Sequence, residues 1–230
     1  MTLEADYGEI CRYLGYRRDT PPDSGMEQTI RACARRLEEA ATPRWVSREF
    51  PLARLPGGAL ELGELRVESG SLSRNLKGCQ RVILFAATLG VEADRLIARA
   101  SAVRMSEAVI LQAAAAALIE ACCDSAWEAL RLEAEKEGWY LRPRFSPGYG
   151  DFSIAHQRDI TTLLQTPARI GLTVTGQMLL APMKSVTAVI GMSRQAAPCR
   201  LDRWTAESRR ARLIPVTPTI WKKPLRAHSA

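Results

Sequence analysis

Residues 144 to 151 read Arg-Phe-Ser-Pro-Gly-Tyr-Gly-Asp. Arg144 supplies a permanently charged, planar fork of five donors suited to a carboxylate or a phosphate, and Tyr149 adds a flat ring with a polar tip. Pro147 presets φ at the first central position of a β-turn and Gly148 accepts positive φ at the second. Ser146 to Tyr149 therefore reads as a type II turn that leaves backbone amides and carbonyls open to a ligand. The same residues would also serve as an ordinary surface turn beside a solvated arginine, since Pro-Gly is common turn punctuation.

Other groups could share that chemistry. Glu120 and Asp124 are four residues apart and lie on one face of a helix. They would turn toward a ligand's ribose or ammonium group, or form a solvated acidic stripe. Lys184 and Ser185 follow Pro182-Met183, where the cation would meet a carboxylate, or simply occupy a strand edge. His156 reads as a surface or packing residue on a helix. No catalytic acid, base or nucleophile stands out. A metal site is disfavoured, because the only histidines are His156 and His228 and the six cysteines show no C-x-x-C spacing, which also points to reduced thiols. No glycine-rich dinucleotide fingerprint or phosphate-loop motif is present.

The elements that must position these residues alternate between helical and extended periods. Helices are expected over 5–17 and 24–41, the second with Ile30, Cys33, Leu37 and Ala41 on one face. Trp45 to Leu52 and Ala59 to Val67 read as strands among glycines, and Val82 to Ala87 as a continuously apolar, buried strand. A helix starts near Val91. The longest runs from about Ser106 to Glu137, about 48 Å at 1.5 Å per residue, with alanines at 113 to 117 that allow close approach of a neighbour. After the Pro-Gly turn come a helix over Ile154 to Leu164 and strands over Leu172 to Thr175 and Val186 to Met192. The pattern is mixed, segregated α+β.

The 230 residues, 47% apolar, suffice for one sizeable core, expected over 1–193. The net charge of +7 is uneven: residues 194 to 230 hold nine Lys or Arg against Asp202 and Glu207, so the body is balanced. That basic, proline-containing tail reads as loosely ordered. Contact with nucleic acid would rest on it alone and is not expected. The acidic Glu4, Asp6 and Glu9 argue against an export signal, and the apolar stretch from Ala108 to Cys123 is broken by Gln112 and Glu120, so a cytoplasmic protein without a membrane span is expected.

Arg144, Pro147, Gly148 and Tyr149 resemble the Arg-x-x-Pro-Gly-Tyr element of the reactivation domain of cobalamin-dependent methionine synthase, and more closely that of its small stand-alone relatives, whose continuation Gly150, Asp151 and Gln157 match. A second block, Leu172 to Gly176 with Pro182 to Val186, resembles the family's Ser-Val-Ser-Gly and Pro-x-Lys-Ser-Val segments. Weaker likeness at Tyr13 to Tyr16 and Ala86 to Gly90 extends the resemblance over most of residues 5 to 192.

The resemblance implies an activation-domain fold, a twisted antiparallel or mixed sheet with flanking helices and one long central helix. It implies S-adenosylmethionine held by Arg144, Ser146, Pro147, Gly148 and Tyr149, with Glu120, Asp124, Lys184 and Ser185 nearby. The activity implied is reductive methylation of cobalamin or another corrinoid. A separate methionine synthase or corrinoid protein would carry the corrinoid, with a flavodoxin or ferredoxin as reductant. One departure is that Val186 and Thr187 replace a family tyrosine pair. Another is that only Cys199 follows residue 190, where relatives often carry a cysteine cluster. The tyrosine replacement favours an alternative, a docking module for a corrinoid protein or methyltransferase that transfers no methyl group.

Overall fold

The six-residue apolar run Val82 to Ala87 has no polar face to offer water, and the fold covers both its sides. In the computed structural model, which describes residues 3–196 and 219–220, this run lies in a central antiparallel strand. In chain order the elements are α1 (Tyr7–Tyr13), α2 (Ser24–Ala40), β1 (Arg44–Arg54), β2 (Leu60–Leu62), β3 (Leu65–Val67), α3 (Gly70–Asn75), β4 (Arg81–Thr88) and α4 (Val91–Val103). They continue with α5 (Met105–Lys136), β5 (Tyr140–Leu141), α6 (His156–Leu164), α7 (Thr166–Ile170), β6 (Thr173–Val174), β7 (Leu180–Ala181), β8 (Ser185–Ser193) and β9 (Thr219–Ile220).

The main sheet runs β3-β2-β1-β4-β8-β5 with antiparallel neighbours, and β9 pairs parallel with β1. Alternation along β4 divides two cores: Ile83, Phe85 and Ala87 face α1, α2, α4 and α5, whereas Val82, Leu84 and Ala86 face α3, α6 and α7. Strand β8 divides the same way. Ala188 and Ile190 join the first core, and Val189 joins the second. This is the expected segregated α+β architecture with one long central helix.

Helix α5 is that element. It buries Ala113, Ala114, Ala115 and Ala117, whose small side chains let it lie close to α2 and α4. Among the described residues it is the one helix long and apolar enough to cross a membrane, yet most of its apolar stretch is packed inside the protein.

Differences from the sequence expectations concern ends and short pieces. The strand expected over Ala59 to Val67 is two, β2 and β3, folded back on each other at Gly63, against which the Phe50 ring packs. The helix expected over 5–17 stops at Tyr13, and the strand expected over Leu172 to Thr175 contracts to β6, paired only with β7 in a small separate hairpin. Arg194 packs its guanidinium 3.8 Å from the Trp139 ring centre. Most of the basic tail lies outside the described residues.

Candidate functional site

Chain leaving α5 runs antiparallel along the outer edge of β8. Arg142 N–H donates to Gly191 O at 2.8 Å, and Phe145 and Val189 exchange both backbone bonds at 2.9 Å. The Trp127 indole of α5 donates to Arg142 O at 3.3 Å, tying the segment to the helix. Arg144 is thereby set between sheet edge and α5, where its Nη2 donates to Asp124 Oδ1 at 2.7 Å and to Glu120 Oε2 at 3.0 Å.

The arginine side chain is 18% exposed, but those of Glu120 and Asp124 are 51% and 64% exposed. Burial works against the Arg144 charge; the neighbouring Cys123, Asp124 and Glu120 overcome it and hold the pKa above its ordinary value. Both ion pairs use Nη2, so Nη1 and Nε are left for another acceptor. The two carboxylates of α5 are more than half exposed, and both engage Arg144. They orient the guanidinium.

Gly148 has φ of 96°, as a type II turn needs at its second central position. The expectation of open turn amides is corrected, however. Gly148 N–H donates to Phe152 O at 2.7 Å and Tyr149 N–H to Ser146 O at 3.2 Å, so the turn's donors are used in holding its own shape.

Asp151 fastens the end of the motif. Its carboxylate accepts from Ser69 Oγ at 2.6 Å, Gly70 N at 2.8 Å and Ser71 N at 2.9 Å, at the start of α3. The Ser69 hydroxyl and the two amides push its pKa well below the usual carboxylate range. Gly150 at φ 57° lets the backbone pass α3, since a Cβ there would sit 2.6 Å from Ser71 Oγ. Phe152 is buried, stacked between Phe145 at 6.2 Å and His156 at 5.4 Å. His156 is therefore a packing residue, with Nδ1 2.8 Å from Asp159 Oδ2.

These elements enclose an open cavity of about 360 Å³. Glu120, Arg144, Ser146, Pro147, Tyr149 and Ser185 line it, as do Val186, Thr187, Gln157, Leu180 and Pro143. Residues of the two sequence blocks thus meet in space around one cavity. Tyr149 is 61% exposed at this cavity, its ring set edge-on to Phe145 at 6.1 Å.

Gly148 shapes the wall without lining it, and Asp124 bears on the cavity only through Arg144. Lys184 stands apart. Its Nζ donates to Gln112 O on α5 at 3.3 Å, and burial lowers its pKa. The Ser185 hydroxyl donates to Pro182 O at 2.7 Å and lies 2.8 Å from Thr88 Oγ1, so it braces the segment.

Sequence reasoning did not place Thr187 or Leu180 in the site, and had Gln157 only as a motif match. Gln157 is 6% exposed and its Nε2 donates to Met178 O at 2.9 Å, joining α6 to the β6–β7 hairpin. A buried amide on an amphipathic helix next to the Pro-Gly turn was the available signal.

Burial pushes the Cys122 thiol up to about 12 and raises that of Cys123 well above the ordinary thiol value, so neither is a nucleophile near neutral pH. Among the described residues no group of three or more His, Cys, Asp or Glu could hold a metal ion.

No protein-family model matches the sequence, and no curated protein matches it. The solved structures do contain a similar fold: the crystal structure of the MetH reactivation domain bound to AdoHcy, with TM-score 0.63, covering 89% of this chain and 81% of that one. The fold matches that of the reactivation domain. Sequence identity is 16%, so this relation to the MetH domain is one of architecture. It agrees with the α+β fold implied by the Arg144 and Pro182 motifs.

Proposed function

We propose that the cavity binds S-adenosylmethionine and that the protein supports reductive methylation of a corrinoid held by a separate methionine synthase or corrinoid protein. The observation that carries this reading is Arg144, oriented by Glu120 and Asp124 at the wall of a cavity where both sequence motifs meet. The similarity to a MetH domain that binds AdoHcy supports it.

The residues fit such a ligand. A volume of about 360 Å³ is in the range of small-molecule sites. Arg144 offers Nη1 and Nε to the amino-acid carboxylate, and Glu120 faces the same cavity with a negative charge for its ammonium. Tyr149 closes over the ligand, and Pro143 and Pro147 give rigid apolar walls. When bound, the nucleoside supplies an activated methyl group. Its transfer breaks the sulfur–carbon bond, leaves the electron pair on sulfur, and forms a carbon–cobalt bond on a partner's corrinoid made nucleophilic by an external one-electron reductant. The chain's part is to hold the methyl donor in place and limit its orientations, which needs no acid, base or nucleophile of its own. A flavodoxin or ferredoxin suits the reductant's role, and the cytoplasm suits such partners.

The test mixes purified protein with a cob(II)alamin carrier protein, a low-potential reductant and S-adenosylmethionine while the cobalt absorption bands are followed. Methylation that requires this chain supports reactivation. Tight association with the carrier, without loss of methyl from labelled S-adenosylmethionine, selects the docking-module reading, which the replacement of the family tyrosines by Val186 and Thr187 favours.

A further inference from the structure

The cavity has two chemically different ends, set by the two faces of β8. Val186 packs toward the core that contains α5, so alternation sends Thr187 to the opposite face, where Val189 meets α6. Glu120, on α5, belongs to the first side and Gln157, on α6, to the second. One end is charged, with Glu120 and Arg144; the other is neutral, with Gln157, Thr187 and Leu180.

The neutral end holds two buried polar groups with unmet bonding capacity. Gln157 is 6% exposed. Because a carbonyl can only accept, the bond to Met178 O fixes Nε2 on that side and leaves Oε1, which accepts no hydrogen bond among the described residues, as the open position of the amide. Thr187 is 3% exposed, and its hydroxyl forms no hydrogen bond among the described residues. Both residues are buried in the protein yet line the cavity, so the space beside their open positions is where a ligand would supply the complement.

We propose that Gln157 and Thr187 form a subsite for the edge of a 6-aminopurine: Gln157 Oε1 accepts from the exocyclic amine, and the Thr187 hydroxyl donates to an adjacent ring nitrogen. This deepens the reading of the cavity as an S-adenosylmethionine site and rests on it, since the charged end takes the amino-acid portion and the neutral end remains for the base. A 6-oxopurine would set its carbonyl oxygen against Gln157 Oε1, acceptor against acceptor, and be rejected.

The experiment is a calorimetric titration of the full chain with S-adenosylhomocysteine and with S-inosylhomocysteine, which differ at the purine 6-position. The wild type is expected to prefer the amino compound by about ten-fold or more, the scale of one mismatched buried hydrogen bond. Gln157→Leu should lose most of that preference. Thr187→Val should weaken binding of the amino compound. Loosened packing alone would weaken both compounds equally and leave the ratio unchanged, so an unchanged ratio in Gln157→Leu overturns the inference. Equal binding of both compounds to the wild type overturns the subsite while the cavity reading stands, and binding of neither overturns both.

Discussion

Ser69 Oγ donates a 2.6 Å hydrogen bond to Asp151 Oδ1 across a sequence separation of 82 residues. With the amides of Gly70 and Ser71 on the same carboxylate, this fastens the Pro-Gly-Tyr loop to the start of α3. The loop carrying Tyr149 is therefore held at both ends, by β8 before the turn and by α3 after it.

That clamp has a pH signature. The Asp151 pKa is depressed on folding, chiefly by the Ser69 hydroxyl, so its contribution to stability is full above the ordinary carboxylate pKa of about 4 and is lost as pH falls below it. Asp151→Asn should lower the melting temperature at pH 7, and the gap between variant and wild type should narrow by pH 3. Thermal melts followed by circular dichroism at the two pH values check this; a gap that widens toward pH 3 contradicts it.

Gly150→Ala should strain the same junction. The new Cβ meets Ser71 Oγ at 2.6 Å on a backbone at φ 57°. A loss of about 1 to 3 kcal/mol in urea unfolding is expected, and a neutral effect would show that the loop has room to move.

Glu120 and Asp124 both bond Arg144 but only Glu120 lines the cavity, so their substitution should have unequal effects. Glu120→Gln is expected to weaken S-adenosylmethionine binding by about 1 to 2 kcal/mol through loss of a charge-assisted bond to the ligand ammonium. Asp124→Asn, at an exposed carboxylate, is expected to cost under about 0.5 kcal/mol. Equal losses would show that both act only through the arginine.

The adjacent thiols should be inert in the folded protein. With the Cys122 pKa near 12, its thiolate fraction at pH 8 is on the order of one in ten thousand, and burial raises the Cys123 pKa well above the ordinary thiol value. Peptide mapping after iodoacetamide treatment at pH 8 should find both unmodified until denaturant is added. Rapid alkylation of either in the native state would contradict their burial.

What the sequence disclosed and what it concealed follow from length and range. The α5 pattern, the apolar run of β4 and the Pro-Gly turn are strong local signals, and each appears within a residue or so of where it was read. Helix α3, strands β5 and β7, and helix α7 have two to six residues each, too few for a period to show. Arg144 and Tyr149 reached the cavity as expected because they stand beside the turn itself. The partners of Arg144 were legible only as a spacing of four on α5, and the use of the turn amides by Phe152 and Ser146 was not legible at all. Thr187 became a cavity residue through strand alternation in β8, whose register depends on its pairing with β4.

The most direct measurement is calorimetric titration of S-adenosylmethionine into the wild type and Arg144→Ala. The account predicts saturable binding to the wild type and a loss of about 1.5 to 3 kcal/mol in the variant, roughly ten- to 150-fold in affinity. Equal affinities, or no binding to the wild type, would contradict it.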